Sequence, residues 1–298
     1  MTAWNERLPA ASDPKGQKFL REIHEKAMTV LRQYPTLYSR VFTEAWATEF
    51  LTRALGSCKP VDEIGSPGFY LAAAEWYLPP LNLDNAEKGL AFICAKATKE
   101  DWTALVGQLR SQPTGAEFEV MLAWALTSCF AAEHVEPYPK LAGPKSARLD
   151  FAVSDKCGRR VLLEAVTLLP SRRYGKLRRL GTTTFNPTQE AAAATHRLQR
   201  VCTEKAKQRK IAEPFILCVE DWTTGLEPAD VPHVLDELMA LDSQNTPSTL
   251  VAVGHFKHEH YTCQLSNARI ARLGAGEAFI REILEAVAAV HERTHDLN

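Results

Sequence analysis

The chain has 298 residues, of which 45% are hydrophobic and 24% charged, a composition typical of a globular protein that excludes a disordered, collagen-like or disulfide-dense chain. Its 35 basic and 36 acidic residues nearly cancel, so binding to nucleic acid would need a local basic patch. The seven cysteines have no CxxC spacing, and no signal-peptide pattern or apolar run of transmembrane length is present, so we expect a soluble, cytoplasmic protein that does not bind membranes.

The first third of the chain is predicted to be helical. Apolar residues recur at helical spacing from Pro14 to about residue 110, and no convincing strand pattern precedes residue 111. The segment SQPTG at 111–115 predicts a boundary between an N-terminal helical module, residues 1–112, and a second domain, residues 113–298. Several large aromatic residues of this module are expected to form its own core; the alternative is a surface for a protein partner or a second copy. They are Trp46, Phe69, Tyr70, Trp76 and Tyr77.

The second domain is predicted to alternate helices and strands. After a helix at 116–130, β-like runs cover 134–138, 148–153 and 160–168, and Asp155 to Gly158 reads as a hairpin turn between the last two. The remaining predicted elements are a helix at about 190–210, the strand PFILCVE, a helix near 231–241, the strand STLVAVG and a helix at about 276–292. This order predicts an α/β domain with a mixed sheet flanked by helices.

Three acidic residues stand out in that domain: Glu119 in its first helix, and Asp150 and Glu164 in the two hairpin strands. Because a tight turn joins these strands, Asp150 and Glu164 can lie side by side. Unpaired charges in apolar strands are costly, and a divalent cation would remove that cost. Mg²⁺ suits such a site because it takes oxygen ligands and needs only one or two protein carboxylates.

Each of these acids also has a purely structural interpretation. Asp150 could pair with Arg148 or Arg160, Glu164 could pair with Arg159 on the strand surface, and Glu119 could be a solvated helix residue. Taken singly, these interpretations are favoured. Taken together, the order and spacing of the three acids favour a functional site.

The segments GAEFEVMLAW, ARLDFAV and RVLLEAVTL, in this order, resemble the PD-(D/E)XK nuclease superfamily, which has the restriction-endonuclease-like fold. RLQRVCTEKAKQ and PFILCVE look like the next helix and strand of that fold, so the resemblance covers about residues 115–220. It implies metal-dependent hydrolysis of phosphodiester bonds, with Mg²⁺, or Mn²⁺ in its place, bound by Asp150 and Glu164. It also implies a supporting acid, Glu119, with Glu117 as the alternative.

The sequence departs from the motif at two positions. Val166 stands where the motif lysine is expected, and Leu149 replaces the proline before the aspartate. The family can supply the lysine from the next helix, where Lys205 shares a face with the apolar residues Leu198, Val201 and Cys202; Lys207 is the second choice. If neither lysine reaches the site, we expect a catalytically inactive module that binds nucleic acid or protein.

A basic segment follows the strand that carries Glu164. Residues 172–210 contain eleven basic residues against two acidic ones, a net charge of +9. Such a segment can contact phosphates without reading sequence, so we expect a nucleic-acid partner, DNA in the first place; an ordinary solvated loop and helix face is an equal alternative. The residues predicted to bind nucleic acid are Arg172, Arg173, Lys176, Arg178, Arg179, Arg197, Arg200 and Lys207.

A histidine-rich stretch, GHFKHEHYT, carries His255, His258 and His260. Zinc binds imidazole but needs more ligands than this stretch clearly offers. We therefore interpret it as an exposed polar hairpin.

Overall fold

The computed structural model describes residues 9–59, 68–75, 82–111, 113–140, 149–168, 187–207, 213–221, 231–233, 250–257 and 260–292. The chain forms two compact units, Met1–Trp124 and Ala125–Asn298, and the division falls within one continuous helix, Pro113–Cys129. The sequence pattern places the boundary at the start of that helix. SQPTG resembles a linker in composition, but its proline is the first residue of the helix, where the missing N–H is tolerated.

The first unit is helical throughout its described residues, as the apolar spacing predicts. It contains helices α1 (Pro14–Leu31), α2 (Glu44–Leu55), α3 (Gly68–Ala73), α4 (Leu83–Lys96), α5 (Lys99–Ser111) and most of α6 (Pro113–Cys129), and a π-helical turn at Leu37–Val41. Capping residues explain several of the helix starts. Thr43 Oγ1 accepts a hydrogen bond from Trp46 N at the start of α2, and Asn82 Oδ1 accepts one from Asn85 N at the start of α4.

Aromatic side chains form the core of this unit around Tyr70. The rings of Phe42, Trp46 and Phe50 pack at 5.6–6.1 Å from the ring of Tyr70, and the Tyr70 hydroxyl hydrogen-bonds His24 Nδ1 at 2.7 Å. Phe69 and Tyr70 are fully buried, which confirms that they are core residues; Trp76 and Tyr77 lie outside the described residues.

Within its described residues, the second unit contains a six-stranded mixed sheet with the strands in chain order. They are β1 (Val135–Pro137), β2 (Phe151–Ser154), β3 (Arg160–Leu168), β4 (Phe215–Asp221), β5 (Leu250–Lys257) and β6 (His260–Leu265). β1, β2 and β3 are antiparallel neighbours, β4 and β5 run parallel to β3, and β6 returns antiparallel to β5. The predicted α/β class with a mixed sheet is confirmed.

Helices of the second unit pack on this sheet. α7 (Pro187–Lys207) packs against β3, while α8 (Asn267–Leu273) and α9 (Glu277–Glu292) pack against β5. Ala194, Leu198 and Cys202 of α7 are buried in one core cluster with strand residues such as Leu162 and Leu217. Burial also raises the pKa of the Cys202 thiol to about 12, so this cysteine acts as a small apolar residue.

The hairpin predicted for GHFKHEHYT is present, since β6 pairs antiparallel with β5, whereas α8 is not distinguished by the sequence pattern. β6 carries alternating polar residues, and α8 has only seven residues and no side-chain cap at its start. Only 231–233 of the helix predicted near 231–241 lies within the described residues, and these three are helical. Within the described part of the chain, no helix is long and apolar enough to cross a membrane.

Candidate functional site

Asp150 and Glu164 lie next to each other at the hairpin of β2 and β3. Phe151 pairs with Leu163 across these antiparallel strands, and one further step of this register brings Asp150 opposite Glu164. The Ala165 amide also donates a hydrogen bond to Asp150 Oδ2 at 2.7 Å. The structure therefore brings these two residues next to each other, as the tight turn predicts.

The turn itself explains why this register is fixed. Gly158 has a φ of +77°, a conformation that glycine adopts without strain, and the Asp155 carboxylate accepts hydrogen bonds from the amides of Cys157 and Arg159. A slip by one residue would move every side chain of β2 and β3 to the opposite face. The hairpin turn thus determines which carboxylates meet.

The acidic pair is set into an apolar part of the sheet. Glu164 is 3% exposed, Asp150 is half-buried, and the neighbours of Glu164 on its face of β3, Leu162 and Val166, pack in the core under α7. Burial raises the pKa of the Cys218 thiol on β4, and the charges of Asp150, Cys263 and Glu164 raise it further. The two carboxylates thus act together on one neighbouring group in a poorly solvated region.

The arginines that could have paired with these acids on the surface are engaged elsewhere. Arg159 pairs with Asp155, and Arg160 pairs with Glu136 and Glu213. The interpretation of Glu164 as a residue of the strand surface is wrong because its side chain is buried. Arg148 lies outside the described residues.

Glu117 and Glu119 lie in the part of α6 that belongs to the first unit, and both are buried, at 4% and 8% exposed. Glu117 has a structural role: its Oε1 accepts a hydrogen bond from the Phe69 amide at 3.1 Å, and its carboxylate fills the space where a Cβ on Gly68 would be. The interpretation of Glu119 as a solvated residue is wrong. Its role as the supporting acid stays a prediction, because the acidic pair belongs to the other unit.

The basic residues predicted for the site are described only in part. On α7, Leu198 and Cys202 are buried and Val201 packs against the same core, which confirms the apolar face on which Lys205 was placed. The side chains of Lys205 and Lys207 lie outside the described residues. So does all of the segment with Arg172, Arg173, Lys176, Arg178 and Arg179. Arg197 is half-buried, and Arg200 is exposed and paired with Glu204.

The donor set of the acidic pair fits Mg²⁺. Both side chains offer carboxylate oxygens, and Mg²⁺ is commonly held by one or two carboxylates together with waters and substrate phosphates. The described residues contain no group of three or more His, Cys, Asp or Glu side chains that could enclose a metal ion. The pair therefore suits a cation that keeps part of its water shell better than one held by protein ligands alone.

A second buried polar pair lies at the carboxyl ends of β4 and β5. His255 Nε2 and Asp221 Oδ2 are 3.2 Å apart, both side chains are 0% exposed, and His255 Nδ1 is buried without a hydrogen-bond partner. The expectation of an exposed hairpin is wrong for His255, because it follows Val253 on the inward face of β5. The apolar run LVAVG before it was the signal that the strand continues into the core.

Comparisons of the chain with models of protein families, with curated proteins and with solved structures found no match.

Proposed function

We propose that this protein is a Mg²⁺-dependent nuclease with a restriction-endonuclease-like fold that hydrolyses phosphodiester bonds in nucleic acid. The observation that carries the proposal is the buried Glu164, central in β3, next to Asp150, which directly precedes β2 and accepts a hydrogen bond from the Ala165 amide. Proteins seldom bury such a pair without a cation or a proton to compensate the charge.

The order of the elements supports the same proposal. A helix is followed by three antiparallel strands, a second helix, and a strand parallel to the third, which is the order that the resemblance to the PD-(D/E)XK superfamily implies. The aspartate precedes the second strand and the glutamate is central in the third, as in the motif. Fold alone does not determine an activity, so the acidic pair has to carry the chemistry.

The residues of the pair have different tasks in this proposal. The Ala165 amide orients Asp150, and the sheet and α7 hold Glu164 in a region with little water. Both would bind the Mg²⁺ ion, or Mn²⁺ in its place, which when bound lowers the pKa of a water ligand and polarises a phosphoryl oxygen. Lys205 on α7 is the proposed positive group, and the basic segment 172–210 would hold the phosphate backbone of DNA or RNA.

A second function is favoured by Val166. This residue packs against the core beneath α7 and contributes no charge at the position of the motif lysine. A protein with the fold but without this charge can bind nucleic acid and fail to cleave it. This alternative predicts salt-sensitive binding and no cleavage with either metal.

A cleavage assay separates the two functions. The purified protein is incubated with plasmid, linear duplex DNA, single-stranded DNA and RNA in Mg²⁺, Mn²⁺ or EDTA. Asp150→Asn and Glu164→Gln keep the shape of each side chain and remove its charge. Glu136→Gln is the matched control, because Glu136 is an exposed acid on the neighbouring strand β1.

We expect metal-dependent cleavage that falls by about 100-fold or more in the Asp150→Asn and Glu164→Gln proteins, since each substitution removes a charged group that acts in the transition state. The Glu136→Gln protein should cleave like the wild type. Undiminished cleavage after both site substitutions would remove the assignment. Binding without cleavage in every wild-type reaction would establish the second function instead.

A further inference from the structure

The lengths of α7 and β3 place the middle of the helix near the middle of the strand. Arg197 is the central residue of α7, and Glu164 is the central residue of β3. A helix of this length spans about 31 Å and the strand about 30 Å, so their centres lie at similar heights when the two pack against each other. α7 does pack on β3, with Ala194, Leu198 and Cys202 buried against the sheet.

The side of α7 on which Arg197 lies follows from the handedness of the connection. α7 joins β3 to the adjacent parallel strand β4, and such crossovers are right-handed. Viewed from α7 with β3 pointing up, β4 is then on the right and β2 on the left, and α7 runs downwards. Seen from the start of the helix, successive residues turn clockwise by about 100°. Leu198 points at the sheet, so Arg197, one residue earlier, points left, towards β2 and Asp150.

The burial of Arg197 agrees with this position. Its side chain is half-buried and its Nε atom is buried, while Arg200 on the same helix is exposed. Val201, one turn after Arg197 and in the same row of the helix surface, packs against the same core cluster as Leu198 and Cys202. The row that begins with Arg197 therefore faces the sheet and not the solvent.

We propose that Arg197 supplies the positive charge that Val166 does not, by contacting the phosphate that is hydrolysed at the Asp150–Glu164 site. This inference rests on the proposed nuclease function and replaces Lys205 in it. Lys205 is eight residues further along, about 12 Å towards the end of α7 and away from the centre of β3. A guanidinium suits the task because it stays protonated and can donate two parallel hydrogen bonds to a phosphate.

The test compares substitutions at three positions in one background. Arg197→Gln and Arg197→Met remove the charge, and the methionine keeps an apolar stem in case glutamine destabilises the half-buried site. Arg197→Lys restores a charge. Lys205→Gln tests the competing cation, and Lys156→Gln, at an exposed lysine in the turn between β2 and β3, is the surface control. For each protein, kcat, KM, the thermal midpoint and the affinity for a fluorescent oligonucleotide in EDTA are measured.

We expect kcat to fall by about 100-fold in Arg197→Gln and Arg197→Met at an unchanged thermal midpoint, with partial recovery in Arg197→Lys. In EDTA, the loss of one phosphate contact should reduce the slope of log affinity against log salt concentration by about 1 in Arg197→Gln and Arg197→Met. A purely structural role would not produce that change. Lys156→Gln should keep kcat within about threefold of the wild type, and Lys205→Gln should reduce kcat less than Arg197→Gln does.

Other outcomes overturn the inference and show which claim has failed. If Lys205→Gln loses kcat and both charge-removing variants of Arg197 keep it, Lys205 is the cation and the nuclease function stands. If the wild type does not cleave, or cleaves equally well after Asp150→Asn, the nuclease function fails and the role of Arg197 fails with it.

Discussion

Asp150–Glu164 and Asp221–His255 are two polar pairs on the same sheet, and they differ in the kinds of groups that they bring together. Strand register places Glu164 and His255 on the same face, on β3 and β5. The second pair joins an acid to a base, and His255 Nε2 lies within hydrogen-bond distance of the Asp221 carboxylate. The first pair joins two acids.

Under the proposed function the first pair serves catalysis, and we expect the second pair to serve stability. A buried acid within hydrogen-bond distance of a base has a partner for its carboxylate, and removal of the base takes that partner away. Two neighbouring acids repel each other when both are ionised, so such a pair favours binding of a cation. Sites of this kind commonly cost stability in the free protein.

The largest expected effect on stability is at the second pair. His255→Leu removes a hydrogen-bonding partner of the fully buried Asp221, and we expect the free energy of unfolding to decrease by about 3 kcal/mol. His255→Gln keeps a donor near the position of Nε2 and should cost about 1 kcal/mol. Urea denaturation of both proteins measures the difference. If leucine is tolerated as well as glutamine, the Asp221–His255 contact is not what stabilises this part of the sheet.

A substitution in the acidic pair should change the free energy of unfolding in the opposite direction. Glu164→Gln removes a buried charge beside Asp150, so in EDTA we expect the free energy of unfolding to increase by about 1–2 kcal/mol. Mg²⁺ should stabilise the wild type and not the variant, so the difference between their free energies of unfolding should be smaller in Mg²⁺ than in EDTA. The measurement is urea denaturation with and without Mg²⁺. A clear loss of stability in EDTA would show that the Glu164 charge is already compensated within the protein.

The smallest effect concerns the first unit, where a third polar contact joins His24 to Tyr70. Burial lowers the pKa of His24, and the charge of Glu25 opposes this only in part. Because the folded state disfavours the charged imidazole, protonation of His24 lowers the free energy of unfolding. With respect to this group, the protein is most stable above the ordinary histidine pKa of about 6.5 and loses stability as the pH falls below it. His24→Asn keeps an acceptor near Nδ1 and should reduce this dependence. Thermal midpoints between about pH 5 and 8 test this, and the same slope in both proteins would assign the dependence to other groups.

The sequence predicted the acidic pair because local features determine its geometry. The turn from Asp155 to Gly158 and the alternating residues of β2 and β3 lie close together in the chain, so register and face could be derived from the pattern. The helices of the first unit could be predicted for the same reason. Their starts are encoded by nearby residues, such as Thr43 before α2.

Features that depend on distant partners were missed. Asp221 and His255 are 34 residues apart in sequence, and only the pairing of β4 with β5 brings them together. Glu117 appeared as a candidate acid because nothing near it in sequence shows that it accepts a hydrogen bond from Phe69, 48 residues earlier. The division of the chain within α6 was missed for the same reason, since it reflects tertiary packing and not a change of local composition.

The most direct test of the central claim compares Glu164→Gln with His255→Gln in the Mg²⁺ cleavage assay, under conditions where both proteins are folded. We predict that Glu164→Gln abolishes cleavage while His255→Gln keeps most of it, although His255→Gln is the less stable protein. Cleavage that survives in Glu164→Gln, or that follows the stability of the two proteins instead of their charge, would contradict the assignment of the acidic pair as the catalytic site.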